Sequence, residues 1–554
     1  MCIRDSIGII VWVVRQKQND SADYFLGGRD ATWLAIGASI FASNIGSEHL
    51  IGLAGAGASS GMAMAHWEIQ GWMILILGWV FVPFYTRSMV YTMPEFLERR
   101  YNPQSRTILS VISLVSYVLT KVAVTVYAGG LVFQQVFGIK ELWGIDFFWI
   151  AAIGLVVLTA LYTIFGGMKS VLYTSVLQTP ILLLGSLIIL VLGFKELGGW
   201  DEMMRVCGAV TVNDYGDTMT NLIRSNDDAN FPWLGALIGS AIIGFWYWCT
   251  DQFIVQRVLS GKNEMEARRG TIFGAYLKLL PVFLFLIPGM IAFALHQKYI
   301  GAGGEGFLPM LENGTANADA AFPTLVAKLL PAGVKGLVVC GILAALMSSL
   351  ASLFNSSAML FTIDFYKRFR PQTSEKKLVG IGQVATVVIV ILGILWIPIM
   401  RSVGDVLYTY LQDVQSVLAP GIAAAFLLGI CWKRTSAQGG MWGLISGMVI
   451  GLTRLGAKVY YSNAGEVADS TFKYLFYDMN WLFFCGWMFL FCIIVVIVVS
   501  LATEAPTAEK IQGLVFGTAT KEQKASTRAS WNHWDIIHTV IILAITGAFY
   551  WYFW

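Results

Sequence analysis

Residues 40–50, IFASNIGSEHL, decide how this chain is read. Residues 33–40 before them and 50–58 after them are apolar or small, together the length of a membrane-crossing helix. In between stand Ser43, Asn44, Ser47, Glu48 and His49. An ionisable side chain at mid-bilayer costs at least about 2.5–3.5 kcal/mol, so such groups are kept for a partner or a use. An interrupted helix also frees carbonyls and amides that lipid cannot satisfy. They persist only against protein, water or a ligand. The segment therefore predicts a broken membrane helix with a polar site at the break.

The rest of the chain agrees. Of its 554 residues 56% are hydrophobic and 13% charged, and the mean hydropathy is +0.66. Long continuous apolar runs recur throughout, which points to a polytopic all-α membrane protein rather than a barrel of alternating strands. A net charge of +3 gives no reason to expect nucleic acid. Seven cysteines, most of them in or beside apolar runs, argue against a disulfide framework. The polar start MCIRDS and the short apolar run 7–14 resemble neither a cleavable signal nor a full span, and are read as a truncated first helix followed by a cytoplasmic linker to residue 32.

Thirteen spans are expected, near 33–57, 62–86, 107–138, 146–165, 170–194, 233–256, 271–296, 336–363, 378–400, 404–431, 438–457, 480–502 and 531–553. With the segment before Trp33 in the cytoplasm, the inner loops collect most of the lysines and arginines, among them Arg87, Arg99, Arg100, Arg268, Arg269, Lys376 and Lys377. The long outer loop 195–232 has seven acidic residues against three basic. The positive-inside rule favours this orientation, in a plasma (inner) membrane with Trp554 outside. The inner loop 503–530 is polar and expected to be mobile.

Two further spans look interrupted. FWYWCTDQ (245–252) places Thr250, Asp251 and Gln252 behind an aromatic cluster. YLQDVQSVLAPG (410–421) carries Gln412, Asp413 and Gln415 ahead of Pro420. The breaks at 33–57 and 233–256 each open a group of five spans, 33–194 and 233–431, as in transporters built from two inverted repeats; residues 432–554 then add helices outside the core. In ILAALMSSLASLF (342–354), Ala345, Ser348, Ser349 and Ser352 fall at i, i+3, i+4 and i+7, on one helix face. Such a face serves either close helix packing or a hard cation, which seeks several oxygens.

Seven separated blocks closely resemble the sodium/glucose cotransporters of the solute:sodium symporter family: IGASIFASNIGS, LGWVFVP, ALYTIFGGMKSVLYT, WYWCTDQFIVQR, GAYLKLLP, ALMSSLASLFNSSAMLFTIDFY and AAAFLLGICWKR. The resemblance covers nearly the whole chain. It implies the LeuT-type five-plus-five inverted repeat with flanking helices, and unwinding of the first core helix across residues 43–48. It implies a sodium site made by the carbonyls of Ala42, Ile45 and Ala345 with the hydroxyls of Ser348 and Ser349. It places Asn44, His49, Glu68, Lys278 and Gln412 on a sugar, with Tyr247 closing the inner side beside Trp248 and Trp67 at the outer gate. Sugar hydroxyls both donate and accept, which suits amide, carboxylate, amine and imidazole partners.

Two departures from the family pattern, Ser175 in place of an aspartate and Ala351 in place of a threonine, point to one sodium per sugar rather than two. The expected function is thus sodium-coupled import of a monosaccharide of the glucose or galactose type by alternating access. A sodium/myo-inositol (polyol) symporter is the runner-up, and a sugar-gated channel or sensor the alternative from another class. An enzyme is not expected: GASSG (57–61) fits a hydrolase elbow but follows no strand. Gly443, Gly447 and Gly451 mark a close helix contact, within the chain or in a homo-oligomer. Asn313 of NGT is a glycosylation acceptor in an outward loop if the source is eukaryotic.

Overall fold

The computed structural model describes residues 20–46, 48–311, 314–401, 407–463 and 468–554; the run 7–14 and Asn313 lie outside them. Each of the thirteen expected ranges holds helix. Among the described residues nine helices are long and apolar enough to cross a membrane, and Trp33–Asn44, Val124–Gln134 and Phe147–Leu161 are shorter apolar helices. The first expected span is divided at its break, and its distal half runs into the second span as Glu48–Ser88. That run turns at Gly61 (φ 66°), where a Cβ would sit 2.1 Å from the Met219 carbonyl oxygen, so the turn requires glycine. The helical stretch Phe147–Leu197 is likewise two helices joined at Gly167 (φ 54°).

Helix starts follow local chemistry. Asn102 accepts from the Ser105 amide at 2.8 Å with Pro103 at the first helical position, and Asn532 with Asp535 forms a capping box. The helix Trp33–Asn44 lies closely on Glu264–Lys278, because a Cβ at Gly37 would stand 2.8 Å from the Gly270 carbonyl oxygen. It also packs on Ala332–Met359, and that helix on the run Phe147–Leu197.

Two of the three expected breaks are present. Trp33–Asn44 ends at Ile45 (ψ 95°), and helix resumes in wide π-type turns at Glu48–Leu53. Phe245–Thr250 ends at Asp251 (φ −75°, ψ 127°), whose carboxylate caps the next helix, Gln252–Leu259, through the Phe253 amide at 3.2 Å. The third is not: Leu407–Cys431 continues through Pro420. A proline forfeits one helical hydrogen bond, and a membrane helix packed in protein tolerates that loss. Here the turn at Pro420 is buried, and Gly421 comes close enough to Gly447 for a Cβ on it to lie 2.9 Å from the Gly447 Cα.

The glycine face is used inside the chain. A Cβ at Gly447 would fall 2.6 Å from the Gly421 Cα, one at Gly451 2.3 Å from the Val417 carbonyl, and one at Gly443 2.4 Å from a Val496 methyl. Gly447→Leu is expected to lower the melting temperature of purified protein by several degrees or abolish its yield, as overpacking costs about 1–3 kcal/mol or more. Loop 503–530 is better anchored than its polarity suggests. It contains the helices Ala508–Ile511 and Lys521–Ala529, the Phe516 ring meets Phe84 edge-on at 5.2 Å, and the Phe516 amide donates to the Ile430 carbonyl at 2.9 Å.

Candidate substrate cavity and ion joint

The first break delivers Asn44 as the last residue of one helix and Glu48 and His49 as the first of the next. Trp67 and Glu68 come from the short helix Ala65–Glu68, Tyr247 and Trp248 from Phe245–Thr250, Lys278 from the end of Glu264–Lys278, and Gln412 from Leu407–Cys431. All eight residues that the sequence resemblance put on a sugar or at its gates line one cavity.

Its polar groups are connected. The Lys278 ammonium lies 2.6 Å from Glu68 Oε2 and donates to Asn44 Oδ1 at 3.2 Å. His49 Nε2 is 3.2 Å from the same Glu68 oxygen. Asn44 Nδ2 donates to the Tyr247 hydroxyl at 3.0 Å, and the Tyr247 ring stands edge-on to Trp248 at 4.9 Å. Glu68 and Lys278 are almost fully buried, so each charge depends on the other. Two groups are different: Gln412 Oε1 and Trp67 Nε1 are buried without a hydrogen-bond partner among the described residues.

A second meeting point lies at the same helix break. The last bond closing Trp33–Asn44 runs from the Ile45 amide to the Phe41 carbonyl at 2.8 Å, which leaves the carbonyls from Ala42 onward without a following helical turn. Ser349 Oγ donates to the Ser43 carbonyl at 2.9 Å. A Cβ on Gly46 would lie 2.7 Å from Ser349 Oγ, so the break passes directly over that serine. Ser348 Oγ is 3.3 Å from Ser175 Oγ, and Ser43 Oγ 2.7 Å from Ser352 Oγ. Ala42, Ile45 and Ala345 are buried beside them. The joint gathers several neutral oxygens, a donor set suited to a small hard cation, and the buried Arg257 Nε donates to Ser43 Oγ at 3.2 Å on its edge.

The break starts at Ile45, two residues later than expected, because Ser43 and Asn44 keep helical geometry. Sequence reasoning missed Ser43 as a partner of Ser349. Gln70 and Gln415 also line the cavity; Gln415 could have been found from its i+3 spacing to Gln412. Nothing in the sequence marks Trp481, which stacks on Trp67 at 5.5 Å and 23° and covers it. Lys121 lies apart from the cavity lining. It is paired with Asp251, which also receives the Tyr117 hydroxyl.

Interrupted helices from two separate parts of the chain, meeting at a polar cavity beside an oxygen-rich joint, define a secondary transporter of the LeuT type. The model of the Sodium:solute symporter family matches residues 24–447, and the chain belongs to that family. It is 37% identical to the sodium/myo-inositol cotransporter 2 of Homo sapiens over 526 residues, 92% of this chain and 77% of that protein. It is also 37% identical to the sodium/myo-inositol cotransporter of Canis lupus familiaris over 525 residues, 91% and 72% of the two chains. Among solved structures, a Na+-coupled sialic acid symporter in a substrate-bound outward-open state aligns with a TM-score of 0.71 at 22% identity, covering 91% of this chain and 97% of that one. The protein is thus a polytopic sodium:solute symporter and not an enzyme.

Proposed function

We propose that this symporter imports an uncharged polyol or monosaccharide with sodium, and that a cyclitol of the myo-inositol kind is its preferred cargo over glucose or galactose. The observation that carries this reading is the convergence of Asn44, His49, Glu68, Lys278, Gln412, Tyr247, Trp248 and Trp67 on one cavity. Hydrogen-bonding groups of both kinds converge there with aromatic faces, the composition a polyhydroxylated ring requires. The choice of polyol over hexose rests on the sodium/myo-inositol cotransporters among its relatives. The sodium would sit at the joint of Ala42, Ile45, Ala345, Ser348 and Ser349. Repeats of residues 33–194 and 233–431 would rock about it, separated by the loop 195–232, with residues 1–32 and 432–554 flanking them. The arginine-rich loops would face the cytoplasm of the plasma (inner) membrane, with Trp554 outside.

Binding of sodium holds Trp33–Asn44 against Ala332–Met359 and so favours one state. Coupling follows if the ion prefers that state. One sodium per solute is proposed: one charge moving through 100 mV supplies about 2.3 kcal/mol and a tenfold sodium gradient about 1.4 kcal/mol, enough for roughly several hundredfold accumulation. The test is uptake of labelled myo-inositol, glucose and galactose into proteoliposomes in sodium against potassium. Equal uptake in both salts would defeat coupling, a hexose preference would reverse the choice of cargo, and solute-evoked current without accumulation would indicate a channel.

Gln412→Ala gives a sharper check of the cavity. Because Gln412 Oε1 has no hydrogen-bond partner among the described residues, its loss should leave stability unchanged. It should weaken solute affinity about tenfold, the value of one good hydrogen bond in a dry site. Sodium activation should shift less than twofold; a larger shift in sodium than in solute would place the solute elsewhere.

A further inference from the structure

The cavity lining holds two carboxylates, Glu48 and Glu68, against one ammonium, Lys278. Glu68 is satisfied by Lys278 at 2.6 Å and His49 at 3.2 Å. Glu48 is partly buried at the helix break, lines the same cavity and makes no hydrogen bond or ion pair among the described residues. The second lysine within electrostatic range, Lys121, is already bound to Asp251. Glu48 thus adds a carboxylate to the lining beyond the Glu68–Lys278 pair, with His49 and Lys278 as the charged groups of the cavity nearest to it.

We infer that Glu48 is a charge filter: its carboxylate accepts a hydroxyl or ammonium of the solute and excludes solutes bearing a carboxylate or phosphate. The inference rests on the polyol-or-monosaccharide reading of the cavity and extends it to a specificity residue. A like charge held near the solute, where water cannot screen it, penalises an anion without disturbing a neutral ring of the same shape. Among the described residues the Glu48 carboxylate accepts no hydrogen bond while it lines the cavity, which leaves its oxygens available to a solute.

Glucose, glucuronate and glucosamine share one ring and differ in charge, which makes them the probes, with myo-inositol as the neutral cyclitol. Their binding to the full chain in lipid nanodiscs with sodium can be read from tryptophan fluorescence, since Trp67 and Trp248 line the cavity. The wild type should bind glucosamine at least as well as glucose, and glucuronate at least about tenfold more weakly. Glu48→Gln, equal in size, should bring glucuronate to within about threefold of glucose, and Glu48→Asp should restore the discrimination. Glucose or myo-inositol binding in each variant shows that it is folded. A glucuronate-to-glucose ratio unchanged by Glu48→Gln, or glucuronate binding the wild type as well as glucose does, would overturn the filter alone. No response of the wild type to any neutral probe would overturn the cargo reading, and the filter with it.

Discussion

Glu68→Ala is expected to reduce sodium-driven solute uptake by at least about a hundredfold. Glu68 is buried, and its Oε2 holds both the Lys278 ammonium at 2.6 Å and His49 at 3.2 Å. Removing one member of a buried ion pair strands the other charge and costs about 3–5 kcal/mol. In this cavity the stranded ammonium would be drawn to Asn44, to which it already donates at 3.2 Å, and would pull that amide from the Tyr247 hydroxyl. The loss would thus spread across the lining. The double variant Glu68→Gln with Lys278→Met removes both charges; it should recover expression and thermal stability while solute binding stays lost. Uptake assays with a melting curve for each variant distinguish the two effects. Uptake in Glu68→Ala within tenfold of the wild type would mean that the pair is not part of solute recognition.

Ser349→Ala carries the second large effect, on the ion rather than the solute. The hydroxyl bonds the Ser43 carbonyl at 2.9 Å and lies under the Gly46 turn. Without it a buried carbonyl loses its donor, at about 1–3 kcal/mol, and the proposed ion loses a ligand. The sodium concentration for half-maximal uptake should rise about tenfold or more, with solute affinity at saturating sodium within threefold of the wild type. Ser348→Ala should act in the same direction, since Ser348 shares the joint through Ser175. An unchanged sodium dependence with weakened solute binding would assign the joint to the solute instead.

The two sites were not equally legible in the sequence. Ser348 and Ser349 announced themselves by helical spacing, and Asn44 and His49 by their cost in a membrane. Gln415 shares a helix face with Gln412 and was within reach of the same rule. Trp481 was not: it stacks on Trp67 from a helix more than four hundred residues away, and a tryptophan in an apolar span carries no mark of its neighbour. Pro420 misled in the opposite direction. It reads as a helix breaker, yet the chain continues through it because its surroundings are protein.

What the amino-acid sequence determined by itself was the membrane class, the position of the first two breaks, the family resemblance and the set of polar residues worth placing. These follow from local rules, the free energy of burying polar groups in lipid and the periodicity of a helix, which need no knowledge of distant contacts. Only the tertiary structure decided that eight of those residues share one cavity, that Glu68 is paired with Lys278, and that the glycine face of 443–451 meets the chain's own helices. Each depends on which helices lie side by side. The pairing of helices far apart in the chain is set by the packing of whole surfaces, which no short stretch of sequence records.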